Sequence, residues 1–268
     1  MKQLSVLTFL FLLITFSSKS QSITGILGAF PPELVMLESQ MMHKKDTIIA
    51  QVRFIRGELR GRRVVLAETG VGKVNAAITT VLMIEHFKPR EIVFSGIAGG
   101  IDPALAPGDL VIGTHVAYHD FGQIDDSGMH YWATKNPFTQ KENPLQFHCD
   151  SALVGKAVQV SKNLQLAKVE RDNGSFVPAI KKGIIVTGDV FVSSEKTTRR
   201  LFNDLHAAAT EMEGAAIAQT CYQQNTPFLI IRSLSDKADG KAGKDMDRFY
   251  NVAAQNAATL VMAVVAEQ

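Results

Sequence analysis

Six short apolar runs, each closed by turn residues, recur along this chain and alternate with stretches of helical spacing. They cover residues 22–30, 64–68, 91–96, 109–118, 182–192 and 228–236. Continuous apolar runs of that length suit strands buried on both faces. The helical patterns are 31–42, opened by Pro31 and Pro32, then 71–87, 151–164, 211–224 and 251–267. Proline fits a first helical turn, where its missing N–H leaves no bond unmade. Alternation of this kind predicts an α/β fold with a largely parallel sheet covered on both faces. The stretch 121–149 has neither period; polar and turn-rich, it reads as a long lid or binding loop.

Nothing divides the pattern. No Pro/Gly/Ser-rich linker, charge block or repeat interrupts residues 21–268, which are enough for one large domain with a substantial core. Ahead of them, Met1-Lys2, the apolar run Leu4–Phe16 and small residues at Ser18 and Ser20 read as a secretory signal cleaved after Ser20. That places the mature protein in the periplasm or the medium; a retained anchor is the other reading. A net charge of +2 gives no electrostatic footprint for nucleic acid or anionic membranes. Cys149 and Cys221 are too few for a disulfide framework, which leaves one bridge or two buried thiols.

Gly70-Val71-Gly72-Lys73 has the look of a phosphate loop, but Ala67 and Val74 stand where that motif needs Gly and Ser or Thr, so it reads as a tight strand-to-helix turn. The glycines of Ser95-Gly96-Ile97-Ala98-Gly99-Gly100 allow a ligand to approach the backbone closely. Three carboxylates stand out by position. Glu33 falls in a first helical turn, where the helix dipole favours its ionised, basic form. Glu213 sits near the start of another helix. Asp236 ends an apolar strand, where desolvation raises its pKa and keeps a proton for donation. One acid and one base are what cleavage of a glycosidic bond through a cationic sugar requires. His119-Asp120 and His148-Cys149-Asp150 do not match the spacing of zinc sites, and no metal is expected.

The segments GILGAFPPELVML, ETGVGKVNAA, SGIAGG, PGDLVI followed by YHD, VTGDVFV, TEMEGAAIA and IIRSLSDKAD occur in that order from about Ile23 to the C-terminus. In this the chain resembles the nucleoside phosphorylase/nucleosidase superfamily, in particular the methylthioadenosine/S-adenosylhomocysteine nucleosidases. The resemblance implies a single three-layer αβα domain whose mixed central sheet is partly closed into a barrel. It implies a cofactor-independent enzyme acting on adenine nucleosides. Glu33 falls at the base that activates water and Asp236 at the acid that protonates purine N7. Met212 and Glu213 fall where the ribose is held, Phe191 and Val192 in the segment that sandwiches the base and reads it through backbone groups, Gly99 in the turn lining the ribose side, and Arg232 where water and Glu33 are oriented. It also implies a homodimer, since family members complete the pocket for the 5′ substituent across a subunit interface.

The phosphorylase branch carries an arginine in the early loop to hold phosphate. Here that loop, Gly28–Glu33, presents an acid and no cation, which favours hydrolysis over phosphorolysis. Two departures stand out: Ile97 replaces a hydroxyl residue that helps place the water, and 121–149 does not follow the family pattern. The alternatives to a nucleosidase are a phosphorylase on the same fold and a non-catalytic secreted binding or storage protein.

Overall fold

The computed structural model of the protein describes residues 22–172 and 174–267; the export signal read at 1–20 lies outside the described residues. In chain order the first half holds β1 (Thr24–Gly28), α1 (Pro31–Gln40), β2 (Met42–Ile49), β3 (Val52–Leu59), β4 (Arg62–Glu68), α2 (Lys73–Phe87), β5 (Glu91–Gly100) and β6 (Leu110–Tyr118). A small hairpin, β7 (Gly122–Asp125) and β8 (Gly128–Tyr131), precedes β9 (Gln146–His148), α3 (Ser151–Ser161), β10 (Val169–Arg171) and β11 (Gly174–Phe176). The remainder is β12 (Ile180–Thr187), α4 (Glu195–Leu205), β13 (Ala207–Glu211), α5 (Gly214–Gln223), β14 (Phe228–Asp236) and α6 (Ala242–Ala266).

The main sheet runs β13-β12-β6-β14-β5-β1-β4-β3-β2, with β9 on β6. A further antiparallel pairing of β13 with β5, Ala209 to Gly100 and Thr210 to Gly99, closes β5, β14, β6, β12 and β13 into a five-stranded barrel. The expectation of a largely parallel sheet is therefore corrected. β14 runs antiparallel to β6, and β2, β3 and β4 form an antiparallel meander at the open edge. The mixed, partly barrelled αβα architecture implied by the resemblance is the one observed. Helices α1, α3 and α6 pack together on one side, with α6 against β5 and β14; α2 and α5 pack on the other, α5 against β12 and β6.

Local chemistry sets the ends of these elements. Asp150 caps α3, its side chain accepting from the N–H groups of Ala152 and Leu153, and Ser194 caps α4 by accepting from Thr197 N–H. Lys88 and His206 close α2 and α4 in left-handed backbone conformations. Helix α6 is apolar because it is wedged between the sheet and α1 and α3, with Ala257, Leu260, Val261 and Val264 fully enclosed.

Several boundaries move. The run 182–192 is strand only to Thr187, so Phe191 and Val192 lie in the loop before α4. The helix read from 211 starts at Gly214, because Ala207–Glu211 is a wholly buried barrel strand. Helix α6 begins at Ala242 rather than 251. Strand β2 carried no buried-strand signal because it is an edge with its first five residues exposed, and β3 beside it buries only Phe54, Ile55 and Leu59. The stretch 121–149 is not a bare loop: it holds the β7–β8 hairpin, tied to α4 by Tyr131 Oη donating to Asp204, and β9.

Candidate active site

The C-terminal ends of β1, β5, β13 and β14 surround a cavity of about 330 Å³. Its walls include Phe30, Glu33, Ile97, Gly99, Phe191, Thr210, Met212, Glu213 and Asp236. Six of the eight side chains and glycines singled out in the sequence thus face one space: Glu33, Gly99, Phe191, Met212, Glu213 and Asp236. The other two stand behind it. Arg232 is fully buried, and the Val192 side chain packs with Val186, Leu201 and Ala238 in a neighbouring apolar cluster.

At one end, Glu33 projects from the first turn of α1 and is held by two backbone donors. Ala29 N–H donates to Oε2 at 2.5 Å and Ile97 N–H to Oε1 at 2.8 Å. The helix dipole favours the ionised carboxylate. Burial outweighs it: desolvation pushes the Glu33 pKa above the ordinary carboxylate range, while Arg232 and the N–H donors pull the other way. A carboxylate of raised pKa is a stronger base and so better matched to abstracting a proton from water.

Arg232 lies beneath this end. Its Nη2 donates to Glu211 Oε2 at 2.6 Å and stands 3.7 Å from Glu213 Oε2; its guanidinium stacks on Phe94 at 3.7 Å. Gly96 separates Arg232 from Glu33. A methyl group there would come within 2.7 Å of Glu33 Cδ and closer still to Arg232 Nη1 and Glu33 Oε1. Only glycine lets the two charged groups converge.

Glu213 occupies the N-cap position of α5 but does not cap its own helix. That work is done by Glu211, which accepts from Gly214 N–H, and by Thr187 Oγ1, which accepts from Ala215 N–H and itself donates to Glu211 in a short hydrogen bond. Glu213 is freed to face the cavity and accepts from Gly72 N–H at 2.8 Å. Burial, then the negative charge of Glu211, push its pKa up to about 8. The Gly70–Lys73 turn therefore has a part in the site: Lys73 Nζ grips Asp120 at 2.7 Å, and Lys73 N–H donates to Asp189, in the loop that carries Phe191.

Further along β5, beside Gly99, Asp236 closes β14. Ser235 Oγ donates to Oδ2 and Ala238 N–H to Oδ1, both at 2.7 Å. Burial raises its pKa, the direction expected of a proton donor. The carboxyl leans over Gly99, whose missing side chain leaves room for it.

Sequence reasoning missed Glu211, Thr187 and Thr210. The TEMEGAAIA segment carried the signal for Glu211, which its apparent helical character hid. The His/Asp pairs do not converge: Asp120 binds Lys73, Asp150 caps α3, and His148 stacks on His115. Cys149 and Cys221 are free and buried, and burial raises both thiols.

Comparison with known proteins gives the family. The sequence signature of the phosphorylase superfamily matches residues 24–266. The 5′-methylthioadenosine/S-adenosylhomocysteine nucleosidase of Mycobacterium tuberculosis is 37% identical over 241 residues, 89% of this chain and 94% of the relative. That of Staphylococcus aureus is 36% identical over 244 residues, 91% and 99%. Among solved structures, the Neisseria meningitidis nucleosidase bound to methylthio-immucillin-A superposes with a TM-score of 0.79 at 35% identity, covering 92% of this chain and all of that one. The futalosine hydrolase of Helicobacter pylori gives 0.77 at 27% identity, covering 92% and 98%. By fold and by sequence, this chain belongs to the phosphorylase superfamily, within which it resembles the 5′-methylthioadenosine/S-adenosylhomocysteine nucleosidases.

Proposed function

We propose that the protein hydrolyses the N-glycosidic bond of adenine nucleosides bearing a 5′-thioether, of the methylthioadenosine and S-adenosylhomocysteine type, and releases adenine. The observation that carries this is the pairing of two buried carboxyl groups on the wall of one cavity, Glu33 as base beside Gly96 and Ile97, and Asp236 as acid beside Gly99 further along β5. Asp236 gives its proton to purine N7 as the C1′–N9 bond breaks and its electron pair goes to the base. Water attacks C1′ and loses a proton to Glu33. Glu213 accepts from the ribose hydroxyls, Met212 packs on the sugar, and Phe191 covers the base. The buried acids around Arg232 favour the cationic sugar of the transition state over the neutral substrate. The apolar wall of Phe30, Val71, Ile97 and Met246 supports a thioether at the 5′ position.

An acid at Glu33, in the loop where phosphorylases hold phosphate, supports water as nucleophile. Release of base from methylthioadenosine, S-adenosylhomocysteine, adenosine, inosine and futalosine, with and without phosphate, is the test. Phosphate-independent adenine release with Glu33→Gln inactive but still binding adenine is expected. Sugar 1-phosphate formation, or full activity of Glu33→Gln, would overturn the reading.

Two further parts of the reading concern the molecule's setting. Residues 1–20 direct export, and two copies pair through the apolar face of α2. There Val74, Ile78 and Val81 stand 70%, 50% and 39% exposed, continuous with Val71 at the cavity mouth. Sedimentation of the wild type and of Ile78→Glu tests the pairing; a monomeric wild type would refute it.

A further inference from the structure

Thr210 holds a hydroxyl for which the rest of the site has no use. It lies in β13, is 5% exposed, and its Oγ1 has no hydrogen-bond partner among the described residues, although it lines the cavity. A buried, unpaired hydroxyl is costly, and valine would fill the same space without that cost. Two features say what it faces. Side chains alternate along a strand, so Thr210 points away from Glu211 and hence from the Arg232 end. Its cross-strand partner in β5 is Gly99, which on its other side is the partner of Asp236 in β14. Thr210 and Asp236 thus flank one position that carries no side chain.

We propose that Thr210 Oγ1 is a hydrogen-bonding contact to the purine base, on the edge that Asp236 protonates. The inference rests on the nucleosidase reading, which places the base at Asp236. A hydroxyl both donates and accepts, so it can serve either an amino or an oxo group on that edge.

The test is calorimetric binding of adenine and hypoxanthine, with nucleoside kinetics, on wild type, Thr210→Val and Thr210→Ser. Loss of one neutral hydrogen bond weakens adenine binding by about two- to twelvefold in Thr210→Val. Thr210→Ser stays near wild type. The melting temperature of ligand-free Thr210→Val is no lower than wild type, which a structural role for the hydroxyl would not allow. Unchanged adenine affinity in Thr210→Val overturns the proposal, including the case where only the nucleoside KM rises, since the hydroxyl would then serve the sugar. A wild type that binds neither base removes the purine reading itself, and this inference with it.

Discussion

Replacing Gly96 by alanine tests the water end of the site without replacing a charged group. A methyl on Gly96 would fall inside 3.0 Å of Arg232 Nη1, Glu33 Oε1 and Glu33 Cδ. To restore ordinary contact, the guanidinium must retreat by about 1.4 Å and the carboxylate by about 1 Å, and neither has slack. Arg232 is sandwiched between Phe94 and Glu211, and Glu33 is pinned by Ala29 and Ile97. Misplacement of a reacting group by about 1 Å costs about 100-fold in rate, or about 2.7 kcal/mol of barrier. Overpacking costs stability as well, about 1–3 kcal/mol. Steady-state kinetics on methylthioadenosine, adenine calorimetry and thermal melts read the three effects. The expected pattern is a fall of about 100-fold in kcat, a lowered melting temperature and adenine affinity within twofold of wild type, because the base sits at the other end. An aryl riboside with an activated leaving group should lose as much rate as methylthioadenosine, since the lesion lies on the water side. Wild-type kcat in a folded Gly96→Ala protein would refute the convergence of Arg232 and Glu33 on the reaction.

The acid end should behave in the opposite sense. Asp236→Asn, and to a smaller extent of about tenfold Gly99→Ala, whose methyl would stand 2.9 Å from Asp236 Oδ1, should slow adenine nucleosides while sparing activated aryl ribosides; equal losses on both would contradict the acid role. Glu213 has a folded pKa raised from 4.5 to about 8, so the native state holds a proton that the unfolded chain releases. Its contribution to stability is full below about pH 4.5 and is lost as pH rises through 8; denaturant melts across that window should decline in the wild type and decline less in Glu213→Gln. Lys73→Met should leave Asp120 without its cation and loosen the turn that donates to Glu213, raising the nucleoside KM several-fold with little change in kcat, whereas Lys73→Arg retains function; unchanged KM would detach that cluster from the site.

What could be read from the sequence divides by the kind of information each feature needs. Glu33, Glu213 and Asp236 were legible because their places at a helix start or strand end depend on neighbours in the chain. Glu211 was not, because Glu-Met-Glu-Gly-Ala-Ala reads as continuous helix. The decisive fact is tertiary: β13 pairs with both β12 and β5, which holds Ala207–Glu211 extended and moves the helix start to Gly214. The same long-range pairing closes the barrel, so a parallel sheet was the natural expectation from alternation alone. Strands β2 and β3 failed to register for a different reason: a charged edge strand such as β2 carries little of the apolar pattern that marks buried ones. Helix α4 was missed although Ser194 caps it, since its long polar face diluted the apolar signal carried by Leu201 and Leu205.

The charges of the site explain why its acids are worth burying. Glu33, Glu211 and Glu213 share one cation, Arg232, at full burial. With all three ionised the group would carry two uncompensated negative charges in a water-poor space, which makes Glu33 and Glu213 stronger bases than ordinary carboxylates. Such an arrangement costs stability in the empty protein and gains little from a neutral nucleoside. It gains when C1′ becomes cationic and Glu33 takes up a proton from water, because the new positive charge appears among groups that lacked one. The Arg232–Glu211 pair keeps this field fixed: Glu211 is bound simultaneously by Arg232, Thr187 and the N–H of Gly214, and so cannot turn toward the sugar. Interaction energy is thereby reserved for the transition state, which is the condition for accelerating the chemical step rather than merely binding substrate.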